Sequence, residues 1–326
     1  MKLIISVLGA LVGVHTALAG PALGTTVYDD LLSPVAPLSH ATESLVQVTD
    51  FGPNLSNTEM YLYVPAKLAD KPAIIVAIHY CTGTAQAYYK NSPYAQLADQ
   101  KGFIVIFPSS PYNGTCWDVS SPSALVHNGG GDSNSIANMV TYTLDKYKAD
   151  PAKVFVTGTS SGAMMTNVMA AAYPEMFAAG IVYSGVPAGC FYSQAGGVDA
   201  WNSSCANGEI NSTPAIWAGI VDAMDPDFSA KHPTSAEAIA ARPKMQIYHG
   251  SADDILFPPN YNETIKEWCG VFGFDPNAPD TTQVDVPQAG YTTYTWGAGK
   301  LVGVYAQGVG HTVPIRGADD MTYFGL

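Results

Sequence analysis

KVFVTGTSSGAMMTNVMAAAYPEMF, residues 153–177, is the stretch on which the reading of the fold turns. A β-branched run, Val154 to Thr157, stops at Gly158. Ser160 and Gly162 follow, and an apolar segment with helical character begins. A serine hydroxyl is a poor nucleophile unless a base activates it, its position is exposed, and N–H donors face the oxyanion it creates. A sharp strand-to-helix turn meets the last two needs. Gly158 and Gly162 remove side chains where strand and helix crowd together. Ser160 is then lifted above the sheet edge, and the N–H of Ser161 at the helix start can face the oxyanion. G-x-S-x-G also occurs in ordinary turns. Its position here, between a buried-type strand and an apolar helix, is the context the motif demands.

If residues 153–177 form such a turn, the acid and then the base should follow in the chain, each just past a strand. KMQIYHGSADD puts Asp253 and Asp254 past one strand, and AQGVGHTVP puts His311 in a Gly-rich loop past the last. The expected triad is therefore Ser160, Asp253 and His311. Asp254 is the rival acid, read as a solvated loop carboxylate. Among the other histidines, His15 falls in the leader, His40 and His232 in polar loops, and His249 at a strand end where it would support the loop. His127 opens HNGGGD, which is like the HGGG oxyanion loop of some lipases. It does not follow a buried strand, so Gly129 to Gly131 read as a turn into the next helix. His79, in IVAIHYCTGT, does follow one. That makes the N–H of Cys81 the candidate second oxyanion donor, with Thr82 next.

Outward from that stretch, strand and helix signals alternate. LVQVTDF and EMYLYVP read as an antiparallel pair. PAIIVAIHY, FIVIFPS, KVFVTG, FAAGIVYSG, KMQIYHGS and KLVGVYAQG read as strands, the continuous apolar runs among them as buried ones. SPYAQLADQKG reads as a helix closed by Gly102, and DSNSIANMVTYTLDKYK as a helix capped by Asp132 or Ser133. This pattern predicts a mostly parallel sheet with helices on both faces, in one domain over residues 45–326. Residues 187–243 break the alternation and read as loops and short helices over one end of the sheet. No repeat or linker interrupts the chain.

The composition fits. The 326 residues are 47 % hydrophobic and 13 % charged, with a formal net charge of −13. That is a packed globular composition, and its acidity argues against nucleic acid or anionic lipid as a partner. MKLIISVLGALVGVHTALAG has the form of a secretory signal: Lys2, a short apolar core, and Ala17-Leu18-Ala19 for cleavage. Residues 1–19 are read as signal peptide and 20–44 as an arm or propeptide. No other run approaches membrane-spanning length, so the expectation is a secreted, extracellular protein. In that compartment the five cysteines imply two disulfides and one leftover. Cys190 and Cys205 form the first expected pair, Cys81 and Cys116 the second, and Cys269 a buried free thiol. Five sequons, at Asn54, Asn113, Asn202, Asn211 and Asn262, are possible glycosylation sites.

Taken together, HYCTGTAQAYY, PSSPYNGTCWDVSS, HNGGGDSNSIANMV, VFVTGTSSGAMMTNVMAA, YSGVPAGCF, WNSSCA, MQIYHGSAD and GVGHTVP resemble the fungal acetylxylan esterases and type B feruloyl esterases of carbohydrate esterase family one. The likeness runs from about residue 45 to the C-terminus. It implies an α/β-hydrolase fold and a serine esterase without metal or cofactor. Carried over motif by motif, Ser160 is the nucleophile, Asp253 the acid, His311 the base, and Cys81 and Ser161 the oxyanion donors. Trp201 of WNSSCA would line the substrate groove. The implied substrate is acetylated xylan, with feruloyl arabinoxylan as the alternative. An aliphatic polyester depolymerase shares less of the motif set. A non-catalytic carbohydrate-binding relative is the remote reading. Xylan is the expected partner and a monomer the expected state. Residues 225–243 and 20–44 depart from the family pattern and would matter if they covered the cleft.

Overall fold

The computed structural model describes residues 44–232 and 235–326. The signal peptide expected at 1–19, and the arm expected at 20–44 except for Ser44, lie outside the described residues.

Among the described residues ten strands form one sheet: β1 (Val46–Val48), β2 (Glu59–Tyr63), β3 (Ile74–Ile78), β4 (Ile104–Ser109), β5 (Val154–Thr159), β6 (Ala179–Tyr183), β7 (Lys244–Gly250), β8 (Thr281–Val284), β9 (Tyr291–Trp296) and β10 (Leu301–Ala306). Their order is β1-β2-β4-β3-β5-β6-β7-β10-β9-β8. The six strands from β4 to β10 in that order run parallel. At one edge β2 and β1 are antiparallel, and at the other β9 and β8. Every residue of β3, β4, β5 and β6 is buried, because strands covered on both faces need apolar side chains on both.

The helices are α1 (Ala85–Asn91), α2 (Tyr94–Lys101), α3 (Asp132–Tyr147), α4 (Ser161–Ala172), α5 (Ser203–Ala206), α6 (Pro214–Met224), α7 (Pro226–Lys231), α8 (Ser235–Ala241), α9 (Pro259–Phe272) and α10 (Gly317–Phe324). Alternate residues of the strands feed separate cores. Ile74, Val76, Ile104 and Ile106 pack with residues of α3, α4 and α6. Ile75, Ala77, Val105 and Phe107 pack with residues of α1, α2 and α10. A third cluster joins Met245 and Ile247 of β7 to Trp268 and Phe272 of α9. α4 is buried along its whole length, which its run of Ala, Gly and Met permits.

The sequence reading needs correction at two places. Asp132 and Ser133 do not cap α3. Gly131 occupies the cap position without a side-chain bond, and Asp132 turns inward to accept the backbone N–H of Asp118 at 3.0 Å. Residues 187–243 hold more than short helices, since α6 has 11 residues, started by the Thr213 cap and Pro214.

Candidate active site

The turn at residue 160 is as tight as its glycines suggest. Ser160 holds φ 56°, ψ −119°, a conformation that costs strain for any residue with a side chain. A Cβ on Gly158 would stand 2.4 Å from the backbone of Gly162, and one on Gly162 would stand 2.1 Å from the carbonyl oxygen of Ile78. Those contacts let α4 rise directly against the ends of β5 and β3. The N–H of Ser160 donates to the carbonyl of Tyr183 on β6 at 2.9 Å, which pins the turn to the neighbouring strand.

Above it the sheet delivers two more groups from the C-terminal ends of adjacent strands. His311 follows β10 and Asp253 follows β7. The Ser160 Oγ–H faces His311 Nε2 at 2.7 Å. His311 Nδ1 lies 2.9 Å from both carboxylate oxygens of Asp253. Asp253 Oδ1 also accepts the N–H groups of Ile255 at 3.0 Å and Leu256 at 2.9 Å. Burial alone would raise the Asp253 pKa, but hydrogen bonds from His249 and His311 and the attraction of both rings outweigh it and hold the carboxyl well below the usual range. Asp254, the rival acid, is exposed. His249, the expected loop support, is fully buried and does more than that. Its Nε2 is 2.8 Å from the Leu256 carbonyl and 3.2 Å from Asp253 Oδ2, so it is a second partner of the acid.

The loop after β3 is ordered by His79. Its Nδ1–H donates to the carbonyl of Tyr80 at 2.8 Å, and its Nε2 accepts the N–H of Ser110 at 3.2 Å. The Trp117 indole N–H donates to the His79 carbonyl at 2.8 Å. Burial lowers the His79 pKa to about 4, so the ring is neutral. Cys81 is bonded to Cys116. Of the two candidate oxyanion donors in this loop, the Thr82 N–H is already given to the Gly114 carbonyl at 2.9 Å. The Cys81 N–H donates to no group among the described residues, which leaves it available. The Ser161 N–H, at the first position of α4, has no carbonyl within the helix to bind.

Trp201 is 57 % exposed and stands edge-on to Phe191 at 5.2 Å. Its segment is anchored by the Cys190–Cys205 disulfide and by Asn202. Asn202 caps α5 through Oδ1 and donates Nδ2–H to the Cys190 carbonyl at 3.1 Å. Phe257, four residues past Asp253, donates its N–H to the Ala206 carbonyl at 2.8 Å. The Trp201 segment is thereby tied to the acid loop.

Other candidate residues fall elsewhere. His127 binds the Ala172 carbonyl through Nδ1 at 2.7 Å, at the far end of α4 from Ser160. Asp225 lies 4.0 Å from that ring, and the segment it opens runs into the N-terminal end of β7. The described part of residues 225–243 thus sits at the end of the sheet opposite the triad and does not cover it. His232 bonds the Phe228 carbonyl within that segment. His15 and His40 lie outside the described residues. Cys269 is a buried free thiol, and burial pushes its pKa up to about 12.

One buried network escaped the sequence reading. Asp320 of α10 is completely buried and accepts the hydroxyls of Tyr94 at 2.8 Å and Tyr183 at 2.5 Å. Tyr183 also accepts the N–H of Arg316, five residues past His311, at 3.0 Å. One tyrosine therefore holds the Ser160 turn by its carbonyl and the chain after His311 by its hydroxyl. Burial raises the Asp320 pKa to about 7 despite these bonds. A lone Asp in a loop or terminal helix carries no local sign of such a role.

Comparison with known proteins bears on this geometry. Residues 57–220 match the family described as esterase PHB depolymerase. The chain is 64 % identical over 283 residues to acetylxylan esterase A of Talaromyces purpureogenus, covering 87 % of this chain and 71 % of that one. It is 59 % identical over 305 residues to acetylxylan esterase A of Aspergillus ficuum, covering 93 % of this chain and 97 % of that one. A solved acetyl xylan esterase from Aspergillus awamori superposes with a TM-score of 0.82 at 61 % identity, over 86 % of this chain and 99 % of the other.

Proposed function

The chain belongs to the acetylxylan esterases, within the esterase PHB depolymerase family, and from that premise we propose how its residues carry the reaction. It is a carboxylic ester hydrolase that removes acetyl groups from acetylated xylan. In the proposed assignment Ser160 attacks the acetyl carbonyl while His311 Nε2 takes its proton. Asp253 keeps the ring in the Nδ1–H tautomer and stabilises the imidazolium as it forms. The N–H groups of Cys81 and Ser161 receive the oxyanion. The protonated His311 then gives its proton to the departing sugar oxygen. Water, activated by the same ring, releases acetate and restores Ser160. The scheme transfers an acetyl group and protons and uses no cofactor.

The observation that carries this assignment is the continuous contact from the Ser160 hydroxyl through His311 to Asp253, at 2.7 and 2.9 Å. A depressed carboxyl favours it further, because such an acid stays ionised and does not take the proton itself. Trp201, exposed beside the acid loop, is assigned to the sugar chain, since an aromatic ring offers an apolar face that a pyranose can lie against. We also propose that residues 1–19 direct secretion to an extracellular location. The two disulfides support this. A monomer without nucleic-acid partners is the matching proposal for its state, in keeping with the acidic charge. Among the described residues no helix is long and apolar enough to cross a membrane.

The test sets the secreted protein against Ser160→Ala on acetylated xylan and on methyl ferulate. Acetate release that disappears in the variant supports the assignment. Predominant ferulate release would replace the acetyl preference, and equal rates for protein and variant would remove Ser160 from the reaction.

A further inference from the structure

A second concavity is lined by none of Ser160, Asp253 and His311. It is a cavity of about 430 Å³ between the first turns of α9 and strands β9 and β10. That volume is within the range of about 300–1,000 Å³ that holds small organic groups. Trp296 and Tyr261 are nearly buried in its floor, at 3 % and 6 % exposure, and the half-buried Tyr294 and Tyr305 form its walls. The rings are interlocked, with Tyr261 5.1 Å from Tyr305 and Tyr294 6.2 Å from Trp296. Gly303 makes room for this floor, since a Cβ there would stand 2.3 Å from the Tyr261 hydroxyl. The polar lining beyond the tyrosine hydroxyls is two amides, Asn262 and Asn277, and among the described residues no charged side chain lines the cavity. Aromatic faces with amide donors and no charge suit a neutral pyranose, whose C–H face is apolar and whose rim is hydroxylated.

Asn262 is also a sequon, Asn262-Glu263-Thr264. It is exposed and its amide makes no hydrogen bond among the described residues. Two other sequons have their Nδ2 engaged: that of Asn202 donates to the Cys190 carbonyl and that of Asn54 to the Thr58 carbonyl; Asn211 is exposed and accepts from Lys266 through Oδ1 alone. Asn113 is exposed, in the loop before Cys116. Asn262 is therefore a free acceptor that itself lines an aromatic cavity. We propose that Asn262 carries an N-linked glycan and that its first sugars rest in this cavity against Tyr294 and Tyr305. The covalent link supplies the occupant at high local concentration, so even a weak contact with the rings is filled.

The linkage forms during secretion, so the proposal rests on the secretory reading above. The donor is an oligosaccharide on a lipid pyrophosphate. The Nδ2–C1 bond forms, the C1–oxygen bond to pyrophosphate breaks, and the amide proton passes to a base of the transferase. No oxidant or reductant takes part. A sugar held on the rings would link α9 to the outer strands β9 and β10, and would stabilise the native chain because the unfolded one lacks the cavity.

The experiment uses the full chain secreted from a fungal host. Mass spectrometry of the Asn262 peptide reads the modification, and melting temperatures are compared for the native protein, Asn262→Gln, Tyr294→Ala and the double variant, with Tyr305→Ala as the second ring variant. The expected result is a glycan at Asn262, a fall of about 2–4 °C in Asn262→Gln, and less than half that fall when a ring is already removed. An unmodified Asn262 with other sequons occupied overturns the proposal while leaving secretion intact. A glycan at Asn262 whose loss adds fully to the ring variants overturns the seating in the cavity. Binding of a xylo-oligosaccharide to native protein that is lost in Tyr294→Ala would assign the cavity to substrate instead. Retention in the cell with no sequon modified would sink the secretory reading and this proposal together.

Discussion

His249 Nε2 lies 3.2 Å from Asp253 Oδ2, so the carboxylate expected to orient His311 is gripped by two imidazoles. His249 Nδ1 has no partner among the described residues. Nε2, which faces both Asp253 and the Leu256 carbonyl, therefore carries a proton shared between them. His249→Leu leaves both acceptors short of a donor, at a cost of about 1–3 kcal/mol. The expected outcome is a lower melting temperature and a kcat about tenfold lower, equivalent to about 1.4 kcal/mol of barrier. Acetate release from acetylated xylan measures it. An unchanged kcat would mean that the backbone N–H groups of Ile255 and Leu256 suffice to hold Asp253.

The Cys81–Cys116 disulfide anchors the loop whose Cys81 N–H is uncommitted. Cys116→Ala keeps that N–H but frees the loop. Losing an oxyanion donor outright costs about 2.7–4 kcal/mol, and loosening one should cost less. The expected result is a kcat roughly tenfold lower with KM little changed, together with a lower melting temperature. A rise in KM with kcat intact would place the loop in substrate binding instead.

Stability should rise on mild acidification. Burial raises the pKa values of Asp320 to about 7 and of Asp132 to about 6. It moves Glu267 and the half-exposed Asp199 in the same direction. A carboxyl raised above its unfolded value of about 3.9 contributes stability that is full below that value and is lost as pH rises through the folded one. His79, lowered by burial to about 4, works the other way, losing stability as pH falls from about 6.5 to about 4. The carboxyls outnumber it, so the melting temperature should be higher near pH 5 than near pH 8. Asp320→Asn should flatten that slope. A slope of opposite sign would show that His79 dominates. Asp253, with its lowered pKa, withdraws stability only below about pH 3.9.

Tyr183→Phe removes the hydroxyl that Arg316 N–H and Asp320 share and leaves the carbonyl bond to Ser160 in place. The segment after His311 should loosen. A fall in kcat of a few fold with KM unchanged, and a lower melting temperature, are expected. Equal kcat in the variant would confine the network to stability alone.

Trp201→Ala should separate polymer from small ester. Its ring is exposed and held only edge-on to Phe191, so its loss disturbs little of the core. KM on acetylated xylan should rise about five- to tenfold, corresponding to roughly 1–1.5 kcal/mol of aromatic contact. The rate on a small acetyl ester should stay the same. A parallel loss on both substrates would mean the side chain supports the acid loop instead.

The central strands were legible because short, continuous, β-branched runs such as IIVAI suit a strand covered on both faces. The turn at Ser160 was legible because its glycines are a local steric requirement. β8 and β9 were not, since TTQV is the exposed edge strand and YTTYTW, beside it, is only partly buried, so neither continuous burial nor alternation imposes a pattern. α1 and α10 are short, and the latter takes its position from Asp320 and two distant tyrosines.

The sequence by itself determined the crowded turn and the alternation that makes a parallel sheet, and it placed Ser160, Asp253 and His311 each just past a strand, because each depends on local sterics or periodicity. Only the tertiary structure decided which neighbour holds which group. It assigned the Thr82 N–H to Gly114 and left that of Cys81 free. It set His249 against Asp253, and it put the described part of residues 225–243 at the far end of the sheet. Those outcomes depend on contacts between residues tens of positions apart, and such contacts leave no local mark in the chain.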